Sequence, residues 1–112
     1  MTDRELLELA AKAVELPECG WMGPAFMYVK DNTFTDWNPL ADDGDALRLA
    51  VKLSMNVVVK TLPHAIYVEA YNGQAPAVVE TLADVREKDF DPYSATRRAI
   101  TRAAAEIGRN MK

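Results

Sequence analysis

Asp42, Asp43 and Asp45 stand within one helical turn and form the densest group of metal-type ligands in the chain. Clustered carboxylates are hard oxygen ligands of the kind that hold calcium or magnesium. Their spacing lacks the alternating carboxylates and central glycine of a calcium loop. They also stand where a helix begins, and free amides with a positive dipole end call for acidic groups there without any ion. The sequence therefore assigns Asp42 or Asp43 to capping, with Asp45 in the first turn, and assigns no metal ligand.

Other reactive residues are sparse. Cys19 is the only cysteine and His64 the only histidine. One thiol closes no disulfide within the chain, and one histidine provides no histidine pair for zinc. A Cys19–His64 dyad would be a thiolate nucleophile, but Glu18 beside the cysteine is an anion and disfavours a thiolate. No phosphate-cradling glycine loop and no Gly-x-Ser-x-Gly elbow occurs. The expectation is a protein that is not an enzyme, with no catalytic residues and no cofactor.

Two groups of residues are better suited to contacts than to chemistry. Trp21, Met22 and Tyr28 belong to a stretch rich in large apolar side chains, and such groups are enriched at protein interfaces. The competing role for this stretch is core, which suits Trp37 in particular. Arg97, Arg98, Arg102 and Arg109 lie on a C-terminal helix, expected exposed beside its alanine stripe, where they would attract phosphate. Net charge is −4, and residues 1–47 hold ten acidic side chains against Arg4, Lys12 and Lys30. This polarity marks either a partner surface or a basic helix lying beside the acidic end. A protein partner or self-association is expected first, with nucleic acid second.

The elements that must position these groups are legible from periodicity. Thr2 and Glu5 form a capping box ahead of Leu6, Leu9, Ala10, Ala13 and Val14, and Pro17 stops that helix. Residues 19–24 read as loop, residues 26–30 as a strand turned by Asp31-Asn32, and residues 33–37 as its hairpin partner or loop. A second helix follows the aspartates, with Ala46, Leu47, Ala50, Val51 and Leu53 as its buried stripe. Residues 56–61 form a strand, Leu62-Pro63-His64 a turn, and residues 65–71 a strand with Ile66, Val68 and Ala70 on one face. Asn72-Gly73 is a strong two-residue hairpin signal leading to a strand at 75–82. Asp91 caps a third helix with Pro92 at its first position and Gly108 at its end. Tyr93, Thr96, Ala99, Ile100, Ala103, Ala104 and Ile107 form its stripe.

The order α-β-α-β-β-β-α implies an α+β fold with an antiparallel sheet of about four strands and three helices. The 112 residues, 49% of them apolar, suit a single domain over 1–112. No stretch is long and apolar enough to span a bilayer, and the N-terminus does not read as a secretory signal. No membrane association and a cytoplasmic location are expected.

Residues 1–13, Trp37-Asn-Pro-Leu40 with Asp43–Val51, and Asp91-Pro-Tyr93 through Gly108 together resemble the phage ABA sandwich domain family. These are small prophage-encoded proteins of unknown function. The resemblance implies strands sandwiched by helices (an α/β/α-type sandwich), a phage origin and a bacterial host cell. It supplies no catalytic residues.

Overall fold

The computed structural model describes residues 1–61, 65–73, 78–82 and 91–111. Its elements run α1 (Asp3–Ala13), β1 (Gly20–Met22), β2 (Ala25–Lys30), β3 (Thr33–Asp36), α2 (Asp43–Lys52), β4 (Asn56–Thr61), β5 (Ile66–Tyr71), β6 (Val78–Leu82) and α3 (Pro92–Arg109). The α+β class holds, and the element order agrees roughly with expectation. The strands, however, form two antiparallel three-stranded sheets, β1-β2-β3 and β4-β5-β6, in place of one sheet of about four.

The first sheet grows from a stretch expected to be largely loop. Trp21 pairs with Phe26 and Met22 with Ala25, across a tight turn at Gly23, whose φ of 63° suits glycine. Lys30 pairs with Thr33, leaving Asp31 and Asn32 as a two-residue turn with φ of 53° and 64°. That is the backbone of a primed hairpin turn, which asparagine and aspartate tolerate.

In the second sheet, Ile66, Val68 and Ala70 are buried while Tyr67, Glu69 and Tyr71 are half-buried, the alternation expected of β5. Asn72-Gly73 does not make a two-residue hairpin. Ala70 pairs with Val78, which is not the register a turn at Asn72-Gly73 would set; β6 is Val78–Leu82, and residues 74–77, where the expected strand would begin, lie outside the described residues. Residues 62–64 and 83–90, including His64, lie outside the described residues, so the Cys19–His64 pairing lies outside them too.

The three helices meet between the sheets. Leu7, Ala10 and Ala11 of α1 pack with Ala46, Leu49 and Ala50 of α2, with Phe26 of the first sheet and with Trp37 just after β3. Ile100 and Ala104 of α3 join that cluster. Another face of the same helix, Ala95, Ala99 and Ala103, packs on Ile66, Val68, Ala70 and Val78 of the second sheet. Instead of one sheet between helix layers, α3 therefore lies between α1 and α2 on one side and β4–β6 on the other. Its small side chains make this double burial feasible, since alanine lets backbones approach closely. Among the described residues, no helix is long and apolar enough to cross a membrane.

Two helix readings need correction. Gly108 does not end α3; the helix continues to Arg109, and Gly108 is buried where α3 crosses α1. In α2 the buried residues are Asp45, Ala46, Leu49 and Ala50, whereas Leu47 and Val51 are 64% and 70% exposed. The stripe is rotated because Asp45 faces inward, where its carboxylate is satisfied. Helix α2 carries apolar residues around most of its circumference, so one pair had to remain outside.

Candidate contact surfaces

The aspartate turn is built for structure at every oxygen described. Asp42 is the N-cap of α2 and accepts the Asp45 amide at 3.0 Å. Asp45 accepts the Asn38 amide at 2.9 Å and a guanidinium N–H of Arg48 at 2.6 Å. Asp43 turns away and accepts from Arg97 at 2.6 Å. Hydrogen bonding to Asp45, followed by the nearby charges of Asp45 and Asp42, raises the Arg48 pKa above its ordinary value despite partial desolvation. Because the cap is Asp42, Asp42→Ala is expected to cost about 1 kcal/mol and Asp42→Asn only a few tenths. Urea denaturation of the two variants checks this, and equal losses would argue against capping.

Of the four arginines expected to be exposed, Arg109 is exposed and Arg97, Arg98 and Arg102 are half-buried. Arg97 is only 17% exposed at its side chain; its Nε donates to the Leu40 carbonyl at 2.9 Å, and it also lies 3.8 Å from Asp91. It ties the start of α3 to the start of α2. Arg98 donates to Asp3 at 3.2 Å, Arg102 is half-buried, and Arg109 lies 3.7 Å from Glu106. The basic helix thus sits beside the acidic N-terminal half, and its charge is largely spent within the fold.

Trp21, Met22 and Tyr28 are likewise separated. Trp21 and Tyr28 share the inner face of β1–β2 with Phe26, while Met22 points outward and is 50% exposed. Trp21 is half-buried and held from two sides by α1. Its Nε1 donates to Glu8 at 2.8 Å, and the Arg4 guanidinium lies 3.9 Å from the ring centroid, a cation–π distance. Its ring meets Phe26 edge-on at 5.0 Å, and Phe26 stands 5.8 Å from Trp37, which is 6% exposed. Trp37 is core, as its position before α2 suggested.

The apolar surface that the structure does expose lies elsewhere. An open groove of about 690 Å³ runs between α2, the start of α3 and the β4–β5 pair. Val59 and Ile66 form its floor, with Leu47 and Tyr93 on its rim. Val59 pairs with Val68, so it faces the helix side of the sheet, yet it is 48% exposed because α3 lies over β5 and β6. Tyr93, expected within the α3 stripe, is 69% exposed at this rim. No single segment of sequence announces the groove, because its walls come from four elements. The surplus of apolar residues around α2 was the one local signal.

Comparison with protein-family models, curated proteins and solved structures finds no match to this chain. The phage-family resemblance rests on the sequence segments alone.

Proposed function

We propose that the chain is a non-enzymatic accessory protein acting through protein contacts, with a second copy of itself as partner at the α2–α3–β4 groove. The observation carrying this reading is the gathering of exposed Leu47, Val59 and Tyr93 around one apolar groove. Scattered exposed apolar residues are ordinary, but a concave cluster of them marks an interaction site. Val51, one helical turn beyond Leu47 and 70% exposed, continues the rim as a ridge. One chain therefore offers a ridge and a groove side by side, and a two-fold interface requires such a self-complementary patch. A phage-encoded setting is the part of this proposal supported only by resemblance.

Light scattering coupled to size-exclusion chromatography is expected to give twice the 12.4 kDa chain mass. Leu47→Glu with Val51→Glu is expected to give the monomer mass with an unchanged circular dichroism spectrum, since both side chains are already in solvent. A wild-type chain that stays monomeric at high concentration would falsify self-association. Nucleic-acid binding through Arg97, Arg98, Arg102 and Arg109 is the weaker alternative, because Arg97 and Arg98 are engaged by Asp43, Asp91 and Asp3.

A further inference from the structure

A second recess, of about 260 Å³, lies between the turn that ends α1 and the side of α2 that carries Leu49 and Lys52. Val14, Leu16, Trp37 and Leu49 give it an apolar lining. Its charged groups are unevenly committed. Arg48 is engaged by Asp45 at 2.6 Å and by Asp42 at 3.7 Å. Glu15 and Lys52 also line the recess, yet among the described residues neither side chain forms a hydrogen bond or ion pair. The Tyr28 hydroxyl, at the same recess, makes no hydrogen bond among the described residues either.

We propose that this recess binds a free α-amino acid with an apolar side chain. One uncommitted cation, one uncommitted anion and an apolar wall match the three parts of such a molecule. Lys52 meets the carboxylate, Glu15 meets the ammonium, and the side chain lies against Val14, Leu16 and Trp37. A simple carboxylate would satisfy Lys52 while facing Glu15, and a simple amine would do the reverse. A zwitterion meets both at once, displacing the water that reaches these two exposed side chains. Pockets for drug-sized ligands start at about 300 Å³, so this smaller volume suits a molecule of amino-acid size.

The backbone allows a clean test. Glu15 closes α1 in the left-handed region, with φ of 52° and the Leu16 amide donating to Ala11 at 3.0 Å. Glycine is the residue this position favours, so Glu15→Gly removes the carboxylate while suiting the chain. Calorimetric titration and amide chemical shifts would be measured with L-leucine, N-acetyl-L-leucine and L-leucine amide. Free leucine is expected to bind, with each derivative on the order of tenfold weaker for the charge it lacks. Lys52→Gln should abolish discrimination against the amide. Glu15→Gly should abolish discrimination against the acetylated form while raising the melting temperature. No binding of leucine, methionine or phenylalanine at millimolar concentration overturns the proposal. Equal binding of all three leucine compounds also overturns it, leaving only an apolar recess.

Discussion

Replacing Gly108 with alanine is expected to destabilise the protein by about 3 kcal/mol, against the usual sign for this change in a helix. In an exposed helix interior, glycine to alanine stabilises by about 1 kcal/mol, because alanine loses less backbone entropy. Here α3 crosses α1 so closely that a β-carbon at Gly108 would overlap the Leu9 carbonyl oxygen and lie 2.9 Å from its carbonyl carbon. The Ala13 amide nitrogen, at 3.3 Å, closes the space from the other direction. All three are backbone atoms of a packed helix, so no side chain can rotate away. Relief requires the two helices to separate, which opens gaps around Ala10 and Ala104, both completely buried. The check is the urea midpoint of Gly108→Ala beside that of Ser94→Ala, which changes an exposed residue of the same helix. A midpoint for Gly108→Ala at or above wild type would show that α1 and α3 do not cross in this way.

The second large effect is expected at Asp45, where alanine should cost about 3 kcal/mol. Two interactions meet on this carboxylate, and their magnitudes differ. Arg48 is 67% exposed at its side chain, so its ion pair with Asp45 contributes less than about 1 kcal/mol. The larger share comes from the Asn38 amide, which points at Asp45 from the segment holding Trp37 and the fully buried Pro39. Alanine leaves that amide without a partner and leaves a void beside buried side chains, whereas asparagine retains an acceptor oxygen. Asp45→Asn is therefore expected to lose about 1 kcal/mol and to retain the buried environment of Trp37, read by tryptophan fluorescence. Salt screens the exposed Arg48 pair but not the Asn38 hydrogen bond, so the loss in Asp45→Ala should be nearly the same at low and moderate salt. Asparagine as damaging as alanine, or marked salt sensitivity, would shift the weight to the ion pair.

These two positions show where local reading of the chain stops. Glycine near the end of an alanine-rich helix is read as a terminator, because the common use of glycine there is the left-handed cap. Gly108 is needed instead for a neighbour more than ninety residues earlier in the chain, and periodicity carries no record of that neighbour. Asp45 is read only as a first-turn carboxylate, and the α2 stripe is read from apolar residues alone, which includes Leu47 and Val51 and leaves Asp45 out. A buried aspartate becomes tolerable once Asn38 and Arg48 supply its donors, and the Asn38 contact depends on how the preceding segment folds back. The setting of the candidate contact residues was hidden for the same reason. Arg97 is an ordinary exposed cation until Asp43 and the Leu40 carbonyl are brought to it.

What the sequence by itself determined is everything governed by interactions a few residues apart. The caps at Thr2, Asp42 and Asp91, the stop near Pro17, the alternation of β5 and the turn at Asp31-Asn32 all belong to this class. Each depends on a hydrogen bond or a steric preference that neighbouring residues satisfy, so the α+β class was readable from the chain alone. Tertiary structure alone decided the division of six strands into two sheets, the burial of α3 on two faces, and which apolar residues stayed in water. Those outcomes depend on which surfaces compete for burial. The apolar residues of α2 outnumber the places its neighbours offer, and only packing chose Leu49 for the interior and left Leu47 and Val51 outside.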